Sequence, residues 1–156
     1  MTGLPPTGSV TFDDSLWPLM VVRLTGELSP QQAEDYLSRS TQFMQRQERH
    51  ALIFDVSTLG QVSSEQRQRQ VEWLKQNEAL MRQTVLGIAY VVTSPLVRLT
   101  MGVIFHFKPP PVPYTIVSRL DAAGAWAARC LEEAGLHAPA ERVRQQFGPR
   151  PEAEGQ

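Results

Sequence analysis

The sequence predicts one α/β domain: a mostly parallel sheet of four to five strands with flanking helices. Three observations predict it. Short apolar runs stand at residues 51–56 (ALIFDV) and 85–93 (VLGIAYVVT), and a nearly unbroken apolar run of that length suits a strand covered on both faces. Between them lie polar stretches whose apolar residues recur at helical spacing. Strand and helix alternate along the chain, which is the order of an α/β layer fold.

Each element has a local reason. Residues 1–8, rich in Pro and Gly, are expected to be disordered. Residues 10–12 suit a short first strand, with a turn at Asp13, Asp14 and Ser15. Residues 16–25 (LWPLMVVRLT) have the apolar, β-branched character of a second strand, with Pro18 near its start. Ser29-Pro30 is a helix start, because the hydroxyl accepts an orphan N–H and proline fits the first helical position. Ala33, Tyr36, Leu37, Ser40, Phe43 and Met44 then recur on one face, and the helix should end near Gln47. Residues 51–56 form the next strand. Ser63 and Ser64 open a second helix that buries Val71, Leu74, Leu80 and Met81. The pairs Glu65–Arg69 and Glu78–Arg82 support its exposed face.

After the strand at 85–93, Ser94-Pro95 repeats the Ser-Pro start, so residues 96–105 read as a helix, although Val103, Ile104 and Phe105 also suit a strand. KPPPVP is a stiff extended connection. Residues 114–118 form the last strand. Asp121 is expected to cap a final helix with Ala125, Trp126, Cys130 and Leu131 inward. The domain is expected to span residues 9–135. Residues 136–156 then hold a short helix and a flexible tail ending GPRPEAEGQ.

Composition narrows the function. The 156 residues are 42% hydrophobic, enough for a core. A net charge of −1 gives no basic surface for nucleic acid. Cys130 is the only cysteine, so no internal disulfide forms, which fits a reducing cytoplasm. The start MTGLPPTGSV lacks the basic-then-apolar order of a signal peptide, and the most apolar window, 96–107, is too short to span a bilayer. A cytoplasmic protein is expected.

Enzyme signatures are missing. Gly60 and Gly87 stand alone, so no glycine-rich loop cradles a phosphate. His50, His106 and His137 lie on separate segments without ligand spacing. No catalytic residue, metal or cofactor is assigned. Asp55 ends a buried strand, where it either bonds loop amides or helps shape a recognition loop. The window 96–107 carries more apolar residues than one helix face needs. It reads as a deeply buried helix, or as a contact patch of Leu96, Leu99, Val103 and Phe105 for a partner or lipid.

The segment IFDVSTLGQVSSEQRQ resembles the centre of STAS domains, the anti-sigma-factor antagonist fold. The span 9–135 more closely resembles the SpoIIAA-like (STAS/SEC14-like) branch. ALIFDV, the Ser-Glu-Gln-Arg helix start, VLGIAYVVTSPLVRLTM and the closing DAAGAWAARCL carry that resemblance. It implies a regulatory protein-protein interaction module in which a partner kinase phosphorylates a serine at the start of the helix after the buried strand. That serine aligns with Ser64. The family motif has Asp-Ser followed by small residues and Gly, where this chain has Ser63-Ser64 followed by Glu65-Gln66. Ser63 and Gln66 also have the spacing of a capping box, so capping and phosphorylation both remain open.

The expected interaction loop comprises Asp55, Ser57, Leu59, Gln61, Ser63, Ser64 and Arg67. Its partner would be another protein, a kinase among them, or a second copy of the chain. The alternative is a small apolar-ligand or lipid-binding domain.

Overall fold

The computed structural model describes residues 7–148. Its elements are β1 (Ser9–Leu16), β2 (Leu19–Gly26), α1 (Pro30–Gln45), β3 (His50–Leu59), α2 (Ser64–Gln76), α3 (Glu78–Thr84), β4 (Val85–Val91), α4 (Pro95–Phe107), β5 (Tyr114–Val117), α5 (Leu120–Glu133) and α6 (His137–Phe147). The five strands form one sheet in the order β1-β2-β3-β4-β5. β1 runs antiparallel to β2, and every other pair is parallel. The mostly parallel α/β sheet is the one the sequence predicts.

That strand order decides where the helices go. From β2 to β5 each strand is laid beside the last in one direction. Right-handed crossovers then put every intervening helix on the same face. Accordingly Tyr36 and Leu37 of α1, Trp73 and Leu74 of α2, Met81 of α3 and Val97, Met101 and Ile104 of α4 share one core with Met20, Val22, Val56, Ile88 and Tyr90 of the sheet. The opposite face is left for the chain after β5. There α5 and α6 pack Ala123, Ala127, Leu131, Ala140 and Val143 on Leu19, Val21, Ala51, Ile53, Ala89 and Val91. β3 alternates between the two cores, with Ala51 and Ile53 toward α5 and Phe54 and Val56 toward α1 and α4. Burying a side chain such as Ile53 fully contributes about 1.5–3 kcal/mol.

Local chemistry sets the ends. Ser29 Oγ accepts from the Gln32 amide at 3.1 Å, and Gln32 Oε1 accepts from the Ser29 amide at 2.9 Å, a complete capping box at α1. Ser94 Oγ accepts from the Val97 amide at 3.3 Å, with Pro95 opening α4. Gly135, at φ 85°, turns the chain from α5 into α6, a conformation that suits glycine.

Several boundaries differ from the sequence reading. The run 16–25 is not one strand. It contains a turn at Trp17 and Pro18 between β1 and β2, with the Trp17 amide donating to the Asp14 carbonyl at 2.9 Å. Proline has no N–H for a ladder, so the run breaks there. β3 extends to Leu59, because Thr25 and Gly26 continue its pairing with β2 through Thr58 and Leu59. The expected second helix is two helices. They part at Asn77, whose side-chain amide donates to the Trp73 carbonyl at 2.9 Å, a side chain competing with the helix ladder.

Asp121 is not the cap of α5. Arg119 occupies that position, and Asp121 lies inside the first turn, paired with Arg119 and accepting from the Ala122 amide at 2.8 Å. The inward stripe of α5 is Ala123, Gly124, Ala127, Ala128 and Leu131. Ala125 faces solvent, and Trp126 and Cys130 are half-buried. Small residues take the inward face, and with Ala51, Gly87 and Ala89 on the sheet they let helix and sheet approach closely.

At the termini, Thr7 Oγ1 accepts from the Glu27 amide and the Gly8 carbonyl accepts from Gln32 Nε2, so residues 7 and 8 are tied to the domain. The rest of the expected disordered start and the tail from residue 149 lie outside the described residues. Residues 137–147 form α6, with Ala140 and Val143 fully buried against α5.

Gly87 on β4 is a tight point of the contact between α5 and the sheet. A Cβ there would stand 2.7 Å from the Trp126 ring and 2.8 Å from Cys130 Sγ. Gly87→Ala should destabilise the fold by about 1–3 kcal/mol through overpacking. Urea unfolding monitored by circular dichroism measures this, and an unchanged midpoint would mean that α5 does not sit where described.

Candidate functional site

The strand-end corner is built around Asp55. Its place in β3 sets it opposite Arg23 of β2, on the α5 face of the sheet. Asp55 is only 7% exposed, yet every oxygen is used. Oδ2 accepts from Arg23 Nε at 2.9 Å, and Oδ1 accepts from the Ser57 amide at 3.0 Å and the Ser57 hydroxyl at 2.6 Å. Thr93 Oγ1 donates to the Ser57 carbonyl at 3.1 Å, joining the end of β4 to the same knot. Burial, the largest single influence, pushes the Asp55 carboxyl up. The two Ser57 bonds and Arg23 together outweigh it, and the group titrates below the usual aspartate range. The Arg23 side chain is half-exposed, so the ion pair itself contributes at most about 1 kcal/mol. It stands where β3 parts from β4, at the last of their paired positions, and where the register of β2 and β3 shifts.

Beyond that knot the loop turns back. The Gly60 amide donates to the Gly26 carbonyl at 2.8 Å. Arg67 Nη1 donates to the Val62 carbonyl at 2.9 Å. Ser63 Oγ accepts from the Gln66 amide at 3.1 Å and caps α2. The Gln66 side chain does not complete the box, since its Nε2 donates to the Leu28 carbonyl at 3.1 Å and ties α2 to the entry of α1. Ser64, the first residue of α2, is exposed.

The seven residues of the expected interaction loop are thus neighbours, but they do not form one surface. Gln61, Ser63 and Ser64 face solvent. Ser57 and Arg67 are half-buried, Leu59 packs against the core, and Asp55 is buried. Arg23, the charged partner of Asp55, was absent from the sequence reading. The signal for it was a lone charge inside the apolar run MVVRLT.

α4 has two faces. Val97, Thr100, Met101 and Ile104 point inward. Leu96, Leu99, Val103 and Phe107 point outward, exposed by 48%, 67%, 38% and 65%. The helix is therefore half-buried, not deeply buried. Phe105 leaves the expected patch: it turns inward, with its ring 5.5 Å from Tyr90 and 5.3 Å from Tyr114. Phe107 takes its place, completing an outward row at i, i+3, i+7 and i+11. That spacing was present in the sequence, but a helix ending at 105 hid it. Tyr114 and Ile116 on edge strand β5 are also exposed. α4 carries Arg98 and His106 on its exposed side and no carboxylate.

Inside these walls, α1, α2, α4 and the sheet enclose a cleft of about 460 Å³. Tyr36, Phe54 and Tyr90 lie at its base, and Gln61, Ser63 and Glu65 stand at its mouth beside the corner. Elsewhere, the Cys130 thiol is pushed up to about 11, chiefly by burial and then by Glu133, which keeps it a poor nucleophile. His50 is buried, and His106 and His137 are exposed on other elements. Among the described residues no cluster of three or more His, Cys, Asp or Glu could hold a metal ion, and no helix is long and apolar enough to cross a membrane.

Comparison with known proteins adds the fold's kinship. No family model and no curated protein matches the chain. Solved structures do. An anti-sigma factor antagonist from Mycobacterium paratuberculosis superposes with a TM-score of 0.57 at 18% identity, covering 80% of this chain and 97% of its own. A DUF3478 protein from Shewanella loihica PV-4, described as having a SpoIIAA-like fold, gives 0.59 at 12% identity, covering 81% and 98%. The fold is SpoIIAA-like. At these identities the likeness establishes the SpoIIAA-like fold, the STAS architecture, and nothing finer.

The two corner serines are separable by experiment. Ser63→Ala removes a cap and should cost about 1 kcal/mol. Ser64 makes no side-chain bond among the described residues, so Ser64→Ala should stay within about 0.5 kcal/mol of wild type. Urea unfolding of both variants checks this, and the reverse order would reassign the cap.

Proposed function

We propose that this protein is a non-enzymatic regulatory module that binds a partner protein through the outer face of α4. The observation that carries this reading is the outward row Leu96, Leu99, Val103 and Phe107. Four large apolar side chains aligned on one helix face gain nothing from water, and a contiguous exposed apolar patch marks an interaction surface. Arg98 and His106 flank the row and no carboxylate lies on the helix. A partner with an apolar centre and an acidic rim would complement it. The similarity of fold to an anti-sigma factor antagonist supports the regulatory part of the reading.

Phosphorylation of Ser64 by a kinase is the finer form of the proposal. Its support is the exposed hydroxyl at the first position of α2, where unpaired backbone amides favour phosphate. Gln61 and Ser63 would then form the polar half of the contact, beside the cleft mouth.

Leu99→Glu combined with Phe107→Glu tests the main proposal. The variant should unfold at the same urea concentration as wild type and lose at least about tenfold in retention of a partner that the tagged wild-type chain captures from its native cell, equivalent to about 1.4 kcal/mol. Equal retention by both proteins, or turnover of a small molecule with no partner captured, would reject it.

A further inference from the structure

We propose that the cleft between α1, α2, α4 and the sheet binds a small neutral amphipathic molecule: an apolar body carrying one hydrogen-bonding oxygen, which meets the Tyr90 phenol. This goes beyond partner binding and does not depend on it.

The space is right for a small molecule. A volume of about 460 Å³ falls within the roughly 300–1,000 Å³ of small-molecule sites. A further void of about 60 Å³ shares Tyr36, Phe54, Gln70 and Tyr90 with it and continues it toward Trp73 and Met81. The walls are apolar, supplied by Leu24, Leu37, Val56, Leu74, Val97 and Met101. The base is aromatic. Tyr36 stacks on Phe54 at 5.7 Å, Phe54 meets the edge of Tyr90 at 5.6 Å, and Tyr90 meets Phe105 at 5.5 Å. Such faces accept a flat or chain-like apolar body.

The polar groups say what else the occupant carries. Tyr90 is 7% exposed, and its hydroxyl makes no hydrogen bond among the described residues. The oxygen is nonetheless not sealed in, because no fully buried side-chain N or O among those residues lacks a partner. It is therefore accessible, and Tyr90 lines the cleft. Thr100 of α4, also buried and also lining the cleft, has no side-chain bond to the described residues either. Accessible hydroxyls on a mostly apolar cleft are the groups that orient a bound molecule, and Tyr90 and Thr100 offer a ligand atom two of them. Burial, then the neighbouring Tyr36 and Tyr114, pushes the Tyr90 phenol well above the tyrosine range. It stays protonated and can both donate and accept.

Charge excludes ions. Arg69, the cation at the mouth, is taken by Glu34 at 2.9 Å. Glu65 and Glu72 add further negative charge there, which disfavours an anion. No carboxylate stands at the aromatic base to hold a cation.

The test uses p-cresol and toluene, which differ by one hydroxyl, titrated into the full chain and followed by amide NMR. Both should shift amides near Phe54, Tyr90 and Thr100 saturably, p-cresol binding at least about tenfold tighter. Tyr90→Phe, a near-isosteric change, should bring p-cresol close to toluene and leave toluene unchanged. Thr100→Val provides the same comparison from the α4 side if Tyr90→Phe does not fold. Absence of saturable shifts, equal affinity of the two probes, or an undiminished gap in the variant that folds would overturn the proposal.

Discussion

The constraint on which the rest depends is the one-way advance of the strands. Because β2, β3, β4 and β5 are laid down in spatial order, handedness places α1 through α4 on one face. The other face would stand bare without α5 and α6. β3 is the strand most affected, since its side chains alternate into two separate cores. The same order makes β5 an edge strand of four residues. α4 lies over this short end of the sheet, and among the described residues no later helix on its side covers it. Its inner face is core, and among the described residues its outer face stays exposed although it carries four large apolar side chains.

Two devices tune that plan where it meets solvent. Where β3 parts from β4, Arg23, Asp55, Ser57 and Thr93 form one bonded group. It satisfies a nearly buried carboxylate at the last paired position of those two strands. At the helix entries, Gln66 bonds to the Leu28 carbonyl where a reciprocal cap could have formed. The corner is thereby fastened to α1, and the mouth of the cleft is held by the same residues. The polar corner stands at the mouth of the cleft, and the inner face of α4 supplies one of its walls.

Much of this was legible in the sequence. The strand at 51–56, the Ser-Pro starts of α1 and α4, and the Ser63 cap follow from residue chemistry at fixed spacing. The break at Trp17 and Pro18 was less legible, because the apolar pattern runs through the turn and only the missing N–H marks it. The inward face of α5 was misjudged because Trp126 and Cys130 look more buried than alanine does. In the fold, the alanines win by letting helix and sheet approach, and Trp126 and Cys130 lie against Gly87 instead. The cleft could not be seen at all. Tyr36, Phe54 and Tyr90 come from three elements, and only the crossovers bring them together.

The central claim is that the outer row of α4 is free surface while the opposite side of the same helix is core. Thiol-labelling kinetics of Leu99→Cys and Met101→Cys under native conditions test it most directly, with Cys130 as the internal reference. The account predicts that the thiol at 99 reacts at the rate of an unstructured thiol and that the thiol at 101 reacts only as fast as the fold opens. Protection of both positions, as in a chain whose α4 is covered on every side by its own core or by a second copy, would contradict it.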